Sequence, residues 1–400
     1  MPWNVDIGGS SITQYCQSIN WHPRWSRPAT LVVKCPGHLF QAAEGQEIHL
    51  YNPSNQLVFS GPIWQIQADG NPNRTDVEIT AFDHLIYMTK RQCKQDPTGP
   101  QPYHLIDIWP TIYNFGSAPA IMAAFVQGAL SDPNASSSAA LPWGIGSIDG
   151  GPDVTSVPKD TPMTLDRMRQ LLLSTGQLAI NVVPGVGAST LNFIRPPNGV
   201  DVPIPAPVAT FNYQTGSFNS QNATVTGDMD EMTTALWYFL GPRGPRPGIP
   251  INHWGGSITP TAANGGPDGD GPAPGTPWPA ATVARFMGSR GQYGYFQDVR
   301  VFDDNDDTQS IRLFYEEEWN NEAFIRAVPR KFLSIKPERG IVPTFNVGDF
   351  LTMAAGSRLN GGISGLVQVF EFEVEINVNG ICAITDIIAS DNGSGAGSVG

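Results

Sequence analysis

Gly45-Gln46-Glu47-Ile48-His49-Leu50-Tyr51 and, three hundred residues later, Gly348-Asp349-Phe350-Leu351-Thr352-Met353 open two stretches that run alike. In the first, an Asn-Pro-Ser-Asn turn leads to Leu57-Val58-Phe59-Ser60-Gly61 and then to Ile63-Trp64-Gln65-Ile66. A second turn, at 69–74, leads to Val77-Glu78-Ile79-Thr80-Ala81-Phe82-Asp83. In the second, Gly365 precedes the run from Val367 to Ile376, and Asn379-Gly380 leads into Ile381-Cys382-Ala383-Ile384-Thr385-Asp386-Ile387. Each reads as a strand, a long strand and a turn, then a strand containing Ile-Thr.

Alternation with period two marks a half-buried strand, because successive side chains point to opposite faces. At 366–376 it sets Val367, Val369 and Glu371 against Gln368, Phe370, Phe372, Val374 and Ile376. Asn-Gly between two such runs is a hairpin signal, since both residues tolerate positive φ. We read the stretches as two copies of one β-meander. Ile48, Ile63 and Ile79 are expected inside the first, and Val369 or Phe370 with Ile384 inside the second.

The 43 glycines and 36 prolines of the 400-residue chain, with few charges, point to many turns and short strands. Its length suits two or three domains. No apolar run is long enough to cross a bilayer, and Met1-Pro2-Trp3-Asn4-Val5 does not read as a signal peptide, so a soluble chain is expected. A formal net charge of −13 argues against a nucleic-acid grip, which needs clustered Lys and Arg, though not against a surface past which nucleic acid slides. Cys16, Cys35, Cys93 and Cys382 lack metal-type spacing, and inert buried thiols are the reading.

Outward from the first copy, strands are expected at Val5-Asp6-Ile7, at Ile12-Thr13-Gln14-Tyr15-Cys16 and from Ala29 to Val33. These make about six strands before residue 91, enough to close a small barrel. Asp83 reads as the N-cap of a short helix ending at Lys90 and Arg91. Residues 106–113 are expected as a helix broken by Pro110, 118–130 as a second helix, and 131–162 as an extended loop. Thr164 caps a helix whose Leu165, Met168, Leu171 and Leu172 share a face, and Gly176 ends it. A hairpin follows at 177–194, then strands at 209–213 and 223–226. Residues 241–282 hold ten prolines and ten glycines and few large apolar residues, so they read as a linker or surface loop pinned by Trp254 and Trp278. A long helix capped by Asp306 or Asp307 should carry Ile311, Tyr315, Trp319 and Ala323 on one side, and a strand at 331–336 should lead into the second copy.

No catalytic arrangement is legible. There is no nucleophile elbow, no phosphate loop and no His-Glu-x-x-His, and Gly144-x-Gly146 lacks the third glycine of a dinucleotide fingerprint. His22, His38, His49, His84, His104 and His253 never fall two to a helix face and read as ordinary polar or packed residues. The run Asp303-Asp304-Asn305-Asp306-Asp307 has Thr308 where a calcium loop needs glycine and Phe314 where it needs glutamate, so it reads as an acidic turn before a helix N-terminus. Trp21, Trp25, Trp64 and Trp319 are core candidates before they are sugar platforms. No catalytic, cofactor-binding or metal-ligating residue is assigned, and no cofactor is expected.

In its order of parts the chain resembles the tail hub, or minor tail, proteins of long-tailed bacteriophages. The likeness lies in the run from Val77 to Leu85 ending at Arg91, in the helix and hairpin at 164–194, and in the helix–strand–barrel run at 308–388 with Gly348-Asp349. The resemblance implies a β-rich α+β fold with two similar small β-barrel modules and a central helix-plus-hairpin domain. Its divisions would be 1–92 (N-terminal barrel), 93–240 (central α+β domain), 241–282 (Pro/Gly-rich linker), 283–390 (helix plus second barrel) and 391–400 (tail). It implies a non-enzymatic structural protein at the virion tail tip. Three copies would form a ring through which DNA passes, in contact with the tail tube protein and with distal tail and tail-tip proteins, without stable membrane insertion. Two readings of other classes stand beside it: a tail-associated enzyme cutting cell-wall polymer, and a module binding surface carbohydrate.

Overall fold

A computed structural model of the chain describes residues 3–36, 42–71, 74–91, 93, 112–130, 141–151, 155–158, 164–174, 177–197, 202–214, 217–218, 220–228, 235–240, 254–258, 288–289, 291–292, 294, 296–302, 330–337, 343–354, 364–377 and 382–390. The N-terminal part holds β1 (Asn4–Ile7), β2 (Ser10–Ser11), β3 (Ser18–His22), β4 (Thr30–Pro36), β5 (Glu47–Tyr51), β6 (Leu57–Asn71) and β7 (Arg74–Phe82). The middle holds β8 (Ile112–Gly116), α1 (Ala118–Leu130), β9 (Trp143–Ile148), β10 (Thr155–Pro158), α2 (Leu165–Ser174), β11 (Ala179–Val183) and β12 (Ser189–Ile194). Beyond it lie β13 (Ala209–Gln214), β14 (Ser217–Phe218), β15 (Ser220–Asp228), β16 (Ala235–Leu240), β17 (Trp254–Ile258) and β18 (Gln297–Phe302). The last four strands are β19 (Arg330–Pro337), β20 (Phe350–Ala354), β21 (Ser364–Asn377) and β22 (Cys382–Ser390). The fold is β-rich with few helices.

The two stretches pair in the same order. β3, β4, β7, β6 and β5 are neighbours in that sequence, all antiparallel, and so are β15, β19, β22, β21 and β20. The register also repeats. Leu31 faces Ala81 and Ala81 faces Ile63; Leu333 faces Ala389 and Ala389 faces Val369. Gly45 (φ 84) and Gly348 (φ 88) both adopt the left-handed conformation before β5 and β20. Their N–H groups donate to the carbonyls of Ile63 (2.8 Å) and Val369 (2.7 Å). The next residues answer alike, the carbonyl of Gln46 accepting from Ile63 N–H at 2.8 Å and that of Asp349 from Val369 N–H at 2.9 Å. The copies differ at their outer edges, where β1 joins β5 antiparallel but β13 joins β20 parallel.

Each long strand carries one extra residue at the same place, Trp64 in β6 and Phe370 in β21. A bulge of this kind switches the alternation phase. Val367 and Val369 before it and Phe372, Val374 and Ile376 after it therefore enter one core, which corrects the unbroken alternation expected from the sequence. The long strand expected over 57–66 is present as β6. Ile48, Ile63, Ile79, Val369 and Ile384 all lie in that core, and it is continuous between the copies. Phe370 is buried elsewhere, with Trp25 and Ala179.

Between the copies sits a second core. α1, apolar nearly all round and buried to match, packs with α2 against the sheet β11–β12–β9. Ser117 accepts from Ala120 N–H (3.4 Å) at the start of α1, and Thr164 Oγ1 from Arg167 N–H (3.1 Å) at the start of α2. Among the described residues no helix is long and apolar enough to cross a membrane.

Other expectations are corrected. Thr13–Tyr15 is a 3-10 turn, not a strand, with β3 following it. The short helix expected after Asp83 is present as a 3-10 helix, His84–Lys90, capped by Asp83, with Leu85 and Met88 in the second core. Ile112 and Tyr113 are in strand β8 rather than a helix, the loop at 131–162 contains β9 and β10, and the Pro/Gly stretch contains β17. Trp64 stands on the surface. The helix expected after Asp307, Trp278, Trp319, Gly176, the Asn379-Gly380 turn, residues 303–307 and residues 391–400 lie outside the described residues.

The paired glycines give a test. An added Cβ meets nothing within 4 Å at Gly45, but would fall 1.9 Å from the Trp25 ring at Gly348. Gly45→Ala should cost only the left-handed strain, about 1–2 kcal/mol. Gly348→Ala should cost that strain plus overpacking, about 3 kcal/mol or more. Urea unfolding of both variants measures the difference, and equal losses would show that Trp25 does not rest on Gly348.

Candidate functional site

Two arrangements bind the parts of this molecule together, and both are built from residues far apart in sequence. The first is the seam between the copies. β21 is long enough to serve two partners: its start pairs with β20, and its last residues pair with β3 of the N-terminal copy. The facing residues are Val374 and Trp21, Glu375 and Asn20, Ile376 and Ile19, Asn377 and Ser18. Trp21 meets Phe372 edge-on at 5.7 Å, and Phe345 meets Phe372 at 5.1 Å. At the rim Glu371 draws His22 Nε2 (3.5 Å) and Arg24 Nε (3.6 Å). The hydrogen bond from His22 holds the Glu371 carboxyl below the usual range against half-burial, helped by the charges of His22, Arg24 and Arg27. Trp25 N–H donates to the Phe370 carbonyl at 2.7 Å, so the bulge residue anchors the chain leaving β3.

The second is a polar joint between the N-terminal copy and the central sheet. Glu47, at the start of β5, accepts from His84 Nε2 (2.7 Å), contacts His49 Nε2 (3.2 Å) and accepts from Gly187 N–H in the β11–β12 turn (3.0 Å). Ser189 Oγ lies 2.7 Å from His84 Nδ1. Burial pushes the His84 pKa down despite the Glu47 charge, so the ring is neutral, with Nε2–H donating to Glu47 and Ser189 donating to Nδ1. Asp83 accepts from Ala29 N–H (2.9 Å) and Leu85 N–H (3.0 Å). Burial raises its pKa to about 7, although both bonds and Arg169 oppose the rise. Buried Arg169 is held by Asp166 (2.7 Å) and donates to the Ser26 carbonyl. Ser26, left-handed at φ 56, is fixed further by Ile180 N–H on its Oγ (2.9 Å).

Ser189, His84 and Glu47 in a line invite comparison with a nucleophile–base–acid triad. The geometry does not work as one. Ser189 is fully buried and paired within β12, so no carbonyl can approach its Oγ, and His84 is 1% exposed. The line is a fastening. Among the described residues no cluster of His, Cys, Asp and Glu is placed to hold a metal ion. Cys16 and Cys35 touch at 3.7 Å between sulfurs, both buried and unbridged, and the Cys35 hydrogen bond together with burial drives the Cys16 thiol far up, the opposite of a reactive thiolate.

Sequence reasoning missed both arrangements. It set His49 and His84 aside because they share no helix face, whereas both meet on Glu47, His49 from the same strand β5 and His84 from the first residue of the 3-10 helix. The only hint lay in Glu47 itself, a carboxylate beginning an apolar strand.

No protein-family model matches the chain, and no curated protein matches its sequence. Solved structures do match over almost the whole length. The tail protein from Neisseria meningitidis is 8% identical with a TM-score of 0.58, over 99% of this chain and 98% of that one. The 43 kDa tail protein of prophage MuSo2 from Shewanella oneidensis is 8% identical with a TM-score of 0.61, over 98% and 99%. The prophage tail protein gp18 from Listeria monocytogenes is 12% identical with a TM-score of 0.54, over 98% and 95%. The chain therefore has the fold of phage tail proteins, and the resemblance read from the order of its elements holds at the level of fold.

The joint predicts a pH signature. Because the folded pKa of Asp83 lies above the ordinary carboxylate value, its contribution is present in full below about pH 4 and is lost as pH rises through about 7. His84 acts in the opposite sense, its lowered pKa costing stability as pH falls below its ordinary value. Asp83→Asn keeps a capping oxygen but removes the ionisation. Thermal melts at pH 5 and pH 8 should show a smaller loss toward pH 8 in the variant than in the wild type; an unchanged difference would mean Asp83 ionises freely.

Proposed function

We propose that this chain is a structural hub subunit of a phage tail, placed at the tail tip of the virion. Three copies form a ring on the tail tube, DNA passes through its opening, and tail-tip proteins dock on its outer parts. The observation that carries this reading is the internal duplication. A subunit with two register-matched five-strand units presents two similar surfaces, so three subunits present six to a tube of six-fold symmetry. Closed rings are the usual outcome when a head-to-tail interface repeats. In this reading 1–92 and 283–390 are the two barrel-bearing domains, 93–240 the central domain, 241–282 a linker and 391–400 a tail.

The tail-protein fold supports the class, and the net charge of −13 suits a lumen that DNA must leave, since an acidic wall denies phosphates the counterion-release gain of a basic one. The buried Ser189–His84–Glu47 line favours fastening over hydrolysis.

Cryo-electron microscopy of the tail tip is the test, with three copies expected around the tail axis. A single copy, or a position off the axis, would end the proposal. A zymogram on peptidoglycan should show no lytic band; a band abolished by one carboxylate substitution would establish the enzyme reading instead.

A further inference from the structure

The seam between the copies is used once within the chain, although the chain contains the parts to make it twice. Counted along the strand from the matched pair Ile63 and Val369, Val374, Glu375, Ile376 and Asn377 of β21 correspond to Ala68, Asp69, Gly70 and Asn71 of β6, although β22 carries one further residue, Thr385, beside this end. Trp21, Asn20, Ile19 and Ser18 of β3 correspond to Val225, Thr224, Ala223 and Asn222 of β15, because Trp21 faces Leu31 as Val225 faces Leu333. In the chain, the β21 end lies on β3. The equivalent strand pair, the β6 end on β15, is not made among the described residues: 65–71 pair only with β7, and β15 pairs only with β19.

Exposure tells the same story. Val374 and Ile376 are buried, at 0% and 1%. Ala68 and Gly70, in the same places of the other copy, are exposed, and so is Thr224 on β15. An unpaired strand edge presents a row of backbone donors and acceptors ready to template another strand. Here the chain shows which strand that is, because it has already made the equivalent contact once.

We propose that the β6 end of one copy of this chain pairs antiparallel with β15 of a second copy, setting Ala68 opposite Val225, Asp69 opposite Thr224 and Gly70 opposite Ala223 of the neighbour. This deepens the hub reading and rests on it. The inter-subunit seam repeats the intra-subunit one, and the operation that carries one copy of the meander to the next continues around the ring. The interface is heterologous, β6 of each subunit meeting β15 of the next, which rules out a two-fold dimer and gives a ring where the rotation closes.

The test is a disulfide trap in the full chain. Directly opposed residues of an antiparallel pair lie about 4.5–5.5 Å apart at Cα, within disulfide range. Position 69 corresponds to exposed Glu375, and Thr224 is exposed. The variant carrying Asp69→Cys and Thr224→Cys, oxidised mildly at high protein concentration, should give a covalent ladder ending at three chains and a tryptic peptide linking 69 to 224. With Cys382→Ser in every variant, Gln67→Cys with Thr224→Cys, two residues out of register, should give little, and the parent, whose remaining Cys16, Cys35 and Cys93 are buried, none. Ala68→Glu, at a site exposed in the single chain, should reduce the ring to single chains in native mass spectrometry with an unchanged melting temperature. A ring of three that resists the 69–224 link overturns this interface and leaves the hub reading standing. A wild-type chain that stays single at every concentration overturns both, and equal linking in both registers overturns the proposed pairing.

Discussion

A β-strand can put only every second residue into a core, and the architecture of this protein turns on how its two long strands escape that limit. β6 and β21 each absorb one extra residue, Trp64 and Phe370, at the same register position. Before the bulge odd-numbered residues of β21 face the core; after it even-numbered ones do. A single strand can thus run from one sheet neighbour to another and keep its apolar side inward. Without the switch, Phe372, Val374 and Ile376 would face water, and the β21 end could not lie on β3 as a buried element.

The same bulge has been put to different uses in the two copies. Phe370 is buried with Trp25, and its carbonyl takes the Trp25 N–H, so it locks the seam. Trp64 instead lies outside, edge-on to Phe82 and Tyr87 at 6.3 and 6.4 Å with Lys90 over its ring, and steadies the 3-10 helix that leads into the central unit. The first strand diverges in the same way. Glu47 occupies the place of buried Phe350, and His49 that of Thr352. The N-terminal copy exchanges an apolar strand start for a carboxylate that gathers two imidazoles and a backbone amide, and that carboxylate holds the central hairpin. Shared register keeps the copies alike in pairing; side chains at these few places decide what each copy carries.

Much of this was legible in the sequence, for identifiable reasons. β5, β7 and the start of β21 announce themselves by period two between polar turns, and α1 and α2 by apolar spacing with Ser117 and Thr164 at their starts. The glycines at 45 and 348 marked the repeat because a left-handed residue before each meander strand admits little else cheaply. What stayed hidden was non-local. A bulge has no composition of its own, so Trp64 and Phe370 looked like ordinary strand residues. β9 and β10 lie in Gly, Ser and Pro-rich sequence, and β9 is stabilised as a strand by parallel pairing with β12 rather than by its own propensity. The polar joint draws on residues from 26 to 189, and nothing local to His84 names Ser189 or Glu47 as its partners.

Joining two copies of a meander in one chain also changes the energetics of the proposed ring. Six separate modules would need five associations to close six seams, each association opposed by lost translational and rotational freedom of about 4–15 kcal/mol. With the copies covalently joined, half of the seams close within a chain, where the cost is that of a loop and grows only slowly with its length. The intra-chain seam is accordingly the one with buried Trp21 and Phe372 and the Glu371 pairs, formed before any neighbour arrives. The remaining seam needs less apolar anchoring on the β6 side, where Ala68 and Gly70 stand in place of Val374 and Ile376. Small residues there leave the lone subunit without a large exposed apolar strand at the β6 end, while the backbone edge still specifies register. An assembly built this way would be strong within its subunits and selective between them, and the difference comes down to four residues at the ends of two equivalent strands.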